Sequence, residues 1–192
     1  MMRLSTLILL GALAAPAIAS AQTINTAAGR LDLAGTAPSA CLVSAPGSVS
    51  GGNASFQVTG TQAAQIDITQ LVDATTAQPR ATSINLALPI ICNGAHRLTV
   101  TTTNGGLARV GGNARNVSVT NGFREFLPYQ VTASWAGQST TGGSQTTTPV
   151  SMNVSDGAAG QLSLIIAVPA GGAPLVAGAY ADSLVIRLQV AS

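Results

Sequence analysis

The chain has 192 residues, of which 46% are hydrophobic and only 7% are charged, against about a quarter in ordinary soluble proteins. Its formal net charge is +2, too small to attract nucleic acid or an anionic membrane surface over a distance. Disordered chains combine low hydrophobicity with high charge, so the composition also argues against disorder. We therefore expect a weakly charged, folded domain.

The N-terminus has the pattern of a secretory signal peptide. Arg3 precedes an apolar run at residues 4–19, and Ala19-Ser20-Ala21 fits the small-x-small rule for cleavage. The run of about 16 residues is shorter than the roughly 20 that span a bilayer. We interpret residues 1–21 as a signal peptide and expect an exported chain without membrane insertion.

A short alternating segment follows the predicted cleavage site. Gly29, Leu31 and Leu33 share one parity, and Arg30 and Asp32 occupy the other. This alternation predicts an extended strand with one apolar edge within residues 22–36. A loose tail at the start of the domain is the alternative interpretation.

Two cysteines, Cys41 and Cys92, are the only ones in the chain. An even number of cysteines in an exported protein favours a disulfide, since a zinc site needs more ligands and a redox pair lies closer in sequence. On the chain-entropy model this bridge stabilises the fold by about 4 kcal/mol.

Short alternating runs separated by Gly, Asn and Pro predict one all-β domain at residues 37–192 with the turn spacing of a sandwich. The predicted strands lie at 54–59, 83–93, 97–103, 117–120, 127–135, 150–154, 161–168 and 179–190, with a weaker one near Ile66 and Ile68. Asn93-Gly94 and Asn121-Gly122 predict tight turns. Residues 44–53 and the polar residues 137–148 are predicted to be loops.

The last predicted strand, at residues 179–190, has the clearest apolar face. That face is formed by Leu184, Ile186, Leu188 and Val190. Only Ala191 and Ser192 follow, too few to turn and pair again. We therefore expect any further strand on that edge to come from elsewhere.

Several short motifs together resemble the spore coat protein U family, which is similar to the subunits of archaic chaperone-usher pili. They are Gly29-Arg-Leu-Asp-Leu, Cys41, Ile90-Ile-Cys92-Asn-Gly, Leu127-Pro-Tyr129 with Trp135 nearby, and Gly178-Ala-Tyr180-Ala-Asp182. The resemblance implies an immunoglobulin-like sandwich that lacks its last strand. In that family a periplasmic chaperone, and then the N-terminal segment of the next subunit, supplies the missing strand.

The resemblance also implies roles for individual residues. Cys41 and Cys92 match the family's disulfide. The donor strand would comprise Ala27, Gly29, Leu31, Leu33 and Gly35 within residues 22–36. The C-terminal strand at the acceptor edge would carry Tyr180, Asp182, Leu184, Ile186, Leu188 and Val190.

The remaining polar residues give no catalytic pattern. His96 is the only histidine, so no metal cluster with a second imidazole is indicated, and the few acidic residues are scattered without the spacing of a glycosidase-type carboxylate pair. We expect no enzyme activity, cofactor or metal, a solvated His96, and an Asp182 that bonds local backbone. Arg109, Arg115 and Arg124 are expected to be solvated, and Tyr129 and Trp135 to be core residues.

Two functional hypotheses follow. The first is a structural subunit of a fibre (pilus) or surface coat, exported through the periplasm, whose partners are copies of itself or related subunits, a periplasmic chaperone and an outer-membrane usher. The alternative is a self-contained secreted β-sandwich binding module, an adhesin or matrix protein that does not polymerise.

Overall fold

The computed structural model describes residues 33–112, 119–146 and 148–191. The chain divides into two units, Met1–Thr36 and Ala37–Ser192. Within the first unit, residues 33–36 are described; they contain no strand and are exposed. The described part of the chain contains no helix with the length and apolarity needed to cross a membrane. The predicted signal peptide lies outside the described residues.

The second unit is all-β, and its described residues form sixteen strands in antiparallel ladders. The strands are β1 (Cys41–Val43), β2 (Ser48–Gly51), β3 (Ala54–Gly60), β4 (Ala63–Ile68), β5 (Thr82–Cys92), β6 (His96–Thr102), β7 (Leu107–Arg109), β8 (Val119–Thr120), β9 (Phe123–Arg124), β10 (Phe126–Leu127), β11 (Gln130–Trp135), β12 (Gln138–Gly143), β13 (Val150–Val154), β14 (Ala158–Val168), β15 (Tyr180–Ala181) and β16 (Leu184–Val190).

The largest sheet has the order β1-β5-β14-β11-β12, with β2 also paired to β5. Its centre is the ladder between β5 and β14, in register from Cys92 opposite Ala158 to Thr82 opposite Val168. Side chains alternate in β5, where Ile84 and Ile90 are buried and Asn85 is exposed. This alternation places one face of the sheet on the core.

A second sheet, with the order β13-β6-β16, supplies the other side of the core. Leu98 and Met152 of this sheet share one buried cluster with Val131 and Leu164 of the large sheet. Two sheets with apolar faces in one core are consistent with a β-sandwich, as the sequence predicts.

Three smaller ladders complete the described fold. β10, β7 and β15 form a short sheet, β3 and β4 form a hairpin, and β8 and β9 form another. The last hairpin turns at Asn121 and Gly122, both with positive φ (53° and 81°), which confirms the turn predicted from this dipeptide.

The loop predicted at 137–148 is wrong for half of its length, because residues 138–143 form β12. A turn at Ala136-Gly137, with φ of 49° and 76°, joins β12 to β11. Hydroxyl pairs between the two strands, Thr132 with Thr141 at 2.8 Å and Ser134 with Ser139 at 2.9 Å, replace apolar contacts. An edge strand of this composition gives no hydrophobic alternation.

Other predicted boundaries also change. β2 lies inside the loop predicted at 44–53. The strand predicted at 127–135 is divided between β10 and β11, and the strand predicted at 179–190 between β15 and β16. In both cases the two pieces belong to different sheets.

Candidate functional site

The candidate site is the outer edge of β16. This strand pairs with β6 on one side, and no described strand pairs with its other side. The bonds Thr103 N to Ser183 O (2.9 Å) and Ala191 N to Ala95 O (2.9 Å) lie in the same register as the β16–β6 ladder. They show that the odd-numbered residues of β16 form the hydrogen-bonded pairs with β6. In an antiparallel ladder these pairs alternate with pairs whose N–H and C=O groups point away from the partner strand. The even-numbered residues of β16 therefore present these groups to the open edge.

The same even-numbered residues carry the apolar face of β16. Leu184, Ile186 and Leu188 pack against the core but, like Val190, are only half-buried. By contrast, Leu98 and Val100 on the neighbouring β6 are 0% and 3% exposed. On β16 the apolar side chains are thus only partly covered, and the backbone groups of the same residues have no strand partner among the described residues.

A second edge, unpaired in the described part of the chain, lies beside β16 and belongs to β1, the edge strand of the large sheet. β1 lies next to β16, with no ladder between them. Asn93 N donates to Ala40 O and Ser44 N donates to Pro89 O, which shows that the even-numbered residues of β1 are hydrogen-bonded to β5. By the same antiparallel rule, Cys41 and Val43 direct their backbone groups to the free edge, and both side chains pack against the core. We call these two neighbouring unpaired edges, of β1 and of β16, the acceptor groove.

A disulfide links β1, one side of the acceptor groove, to β5. Cys41 and Cys92 are directly opposite in the β1–β5 ladder, with Cα atoms 4.1 Å apart and a sequence separation of 51. The predicted disulfide is confirmed. It holds β1, a strand of only three residues, onto β5.

The prediction that His96 is solvated is wrong, because this residue is 2% exposed and lies between the two sheets. Trp135 Nε1–H donates to His96 Nε2 at 2.8 Å. Since an indole nitrogen is only a donor, the His96 proton must be on Nδ1, which donates to Gly94 O at 2.9 Å. His96 is therefore a core residue that connects β6 to β11. The expectation that Trp135 belongs to the core is confirmed, since it is 3% exposed.

Cys41, Cys92 and His96 place their potential ligand atoms within 4.8 Å of one another. Metal binding by cysteine requires thiolates, however, and both sulfur atoms are used in the disulfide. Both His96 nitrogens are also used in hydrogen bonds. In this oxidised form the cluster is structural.

The entry to β16 is fixed by Asp182. Its Oδ1 accepts from Asn104 N and Ser183 N, each at 2.8 Å, and its Oδ2 accepts from Tyr129 O–H at 2.8 Å. Burial, and then the hydrogen bond to Asp182, raises the pKa of Tyr129 well above its usual range. Asp182 thus bonds local backbone, as expected, and also ties β16 to a core tyrosine that is 6% exposed.

Tyr180 lies outside the acceptor groove. It belongs to β15, which pairs with β7, and its hydroxyl donates to Val176 O at 2.8 Å. Burial also raises the pKa of this phenol. The strand predicted at 179–190 ends at Ala181 and a new strand begins at Leu184, so neither Tyr180 nor Asp182 belongs to β16.

The arginines expected to be solvated are placed differently. Arg124 is only 8% exposed, and its Nη2 donates to Gly171 O at 2.9 Å. Desolvation lowers its pKa. Arg109 forms an ion pair with Glu125 at 2.7 Å. The expectation is wrong for Arg124, and Arg115 lies outside the described residues.

The predicted donor residues are only partly described. Ala27, Gly29 and Leu31 lie outside the described residues. Leu33 is 91% exposed, and a Cβ added to Gly35 would have no atom within 4 Å. Leu33 is thus an apolar side chain without cover.

A cavity of about 240 Å³ lies at the end of β6 and β13, near Gly143 and Pro149. Val100, Val131 and Val150 line it, together with Thr102, Ser144 and Thr146. It contains no charged side chain, and the Ser144 hydroxyl is already bonded to Tyr129 N. We therefore do not treat this cavity as the candidate ligand site.

Comparison of the sequence with models of known protein families and with curated proteins gives no match. The assignment of a function therefore depends on the geometry of the acceptor groove.

Proposed function

We propose that this protein is a structural subunit of an extracellular fibre or surface coat, assembled by donation of a strand to the acceptor groove. The observation that supports this most directly is the edge of β16. Its even-numbered residues combine half-buried apolar side chains with backbone groups that no described strand pairs. Both features call for the same partner, an added β-strand with alternating apolar residues.

The gain from such a strand is substantial. Full burial of a large apolar side chain is worth about 1.5 to 3 kcal/mol, so covering the exposed part of each of four residues contributes roughly 1 kcal/mol apiece. Backbone bonds to the open edge add to this. Without the added strand, the same edge would be prone to uncontrolled pairing with other chains.

The donor in this proposal is the segment at residues 22–36 of a neighbouring copy or related subunit. Leu31 and Leu33 are its largest apolar residues on the parity that would face the groove. Because the donor leaves one molecule and enters the next, the contact is heterologous and does not close, which produces a fibre. A periplasmic chaperone that fills the groove before assembly, and an outer-membrane usher, complete the proposed route to the cell surface.

Neighbouring residues on β16 provide a matched test. Ile186→Asp places a charge in the acceptor groove, whereas Arg187→Asp places the same charge on the exposed face of the same strand. The proposal predicts that Ile186→Asp abolishes chain growth of residues 22–192 and that Arg187→Asp preserves it. Size-exclusion chromatography with light scattering measures the difference.

Deletion of the donor segment gives an independent test. Without residues 22–35 the protein should stop forming oligomers and should bind an added peptide of that sequence. A stable monomer both with and without the segment, with no binding of the peptide, would refute strand donation and favour the self-contained binding module.

A further inference from the structure

The hairpin β3–β4 is held firmly at its base. Asn53, which precedes β3, accepts a bond from Thr69 N at 3.0 Å and one from the Thr69 hydroxyl at 2.8 Å. The Asn53 amide also donates to Gln70 O and to the Thr82 hydroxyl. Ala54 and Ile68, the first ladder pair, pack against the core. The base therefore belongs to the stable part of the domain.

The tip of the hairpin contacts the acceptor groove. Gln62, in the turn between β3 and β4, donates from Nε2 to Val43 O at 3.1 Å. Val43 O is on the free edge of β1, because the β1–β5 register directs the Val43 backbone groups away from β5. Gln62 thus occupies the Val43 carbonyl oxygen, which would otherwise accept a hydrogen bond from a strand added to β1.

The outer half of the hairpin has few other contacts. Val58 is 55% exposed, and the ladder changes register between Val58 and Gly60. Residues 59–63 are all exposed. Segments with little burial and exposed hydrogen bonds open locally at small free-energy cost. The base of the hairpin is well anchored, whereas its tip has one described side-chain bond to β1. We therefore expect the hairpin to open at its tip.

We propose that Gln62 is a latch on the acceptor groove. While the latch is closed, the Gln62 side chain occupies Val43 O on the edge of β1 and opposes the pairing of another strand there. Release of Val43 O precedes pairing of an incoming donor strand with β1. This inference rests on the proposed function, because it describes how entry to the same groove is controlled.

The test uses the chain without residues 22–35, because in the full chain the donor segments of neighbouring copies would already fill the acceptor groove. This parent chain is compared with its Gln62→Met and Gln57→Met variants. Methionine keeps the side-chain length but has no N–H donor. Gln57 is an exposed residue on the same hairpin, which makes it a matched control. Two quantities are measured: amide hydrogen exchange at residues 60–64, and the association rate of a fluorescent peptide of residues 22–35, followed by anisotropy.

A single neutral hydrogen bond changes an opening equilibrium by about two- to tenfold. We expect Gln62→Met to accelerate both exchange at the tip and peptide association by a factor in this range, and Gln57→Met to match the parent chain. Equal association rates in all three proteins would overturn the latch and leave strand donation intact. If no protein binds the peptide, both the latch and the proposed function fail.

Discussion

The bond between Tyr129 and Asp182 offers a quantitative test of how β16 is anchored. Asp182→Ala removes the acceptor of three donors, Tyr129 O–H, Asn104 N and Ser183 N. Because Tyr129 is buried, its unpaired hydroxyl alone costs about 1 to 3 kcal/mol. We expect a total loss of about 3 kcal/mol for Asp182→Ala and about 1.5 kcal/mol for Tyr129→Phe, which leaves Asp182 its two backbone donors.

Urea unfolding of the two single variants and the double variant measures these values. With a slope of about 2 kcal/mol per molar, Asp182→Ala should lower the midpoint by about 1.5 M. Since both substitutions remove the same bond, the double variant should lose about 1 to 2 kcal/mol less than the sum of the single variants. Additive losses would show that the two side chains do not interact, and the proposed anchoring of β16 would be refuted.

Three further predictions concern the core. Replacing Cys41 and Cys92 with Ala should lower the free energy of unfolding by about 4 kcal/mol in denaturant titrations, and a loss below 1 kcal/mol would contradict the loop-entropy argument. The raised pKa of Tyr129 has no effect on stability below pH 10, where both states are protonated. Above about pH 10 the unfolded state loses this proton, so stability should fall by up to about 1.4 kcal/mol per pH unit, and less steeply in Tyr129→Phe. His96→Phe leaves Trp135 N–H unpaired and should cost about 1 to 3 kcal/mol, whereas an unchanged melting temperature would exclude the buried bond.

The sequence predicts those parts of the fold in which one face of a strand is buried. Ile84, Leu86, Leu88 and Ile90 alternate with smaller or polar residues, and the corresponding strand appears as predicted. β12 was missed because its residues are Ser, Thr, Gln and Gly, whose contribution comes from cross-strand hydroxyl pairs. Periodicity of hydrophobicity cannot report such pairs.

The candidate site shows the same limit. Alternation from Leu184 to Val190 predicts an apolar face, but only the ladder shows that the backbone groups of the same residues face the open edge. His96 was misassigned because its partners, Gly94 and Trp135, include a residue on another strand. Gln62 carries no sequence signal, since its contact with Val43 depends on where the hairpin tip folds.

Amide hydrogen exchange along β16, followed by NMR in a chain lacking residues 22–35, tests the open edge most directly. The register predicts slow exchange at Val185, Arg187 and Gln189, which donate toward β6, and fast exchange at Ile186 and Leu188. Addition of the 22–35 peptide should then slow exchange at Ile186 and Leu188. Equally slow exchange at all five amides without peptide, and no change on its addition, would contradict an acceptor edge.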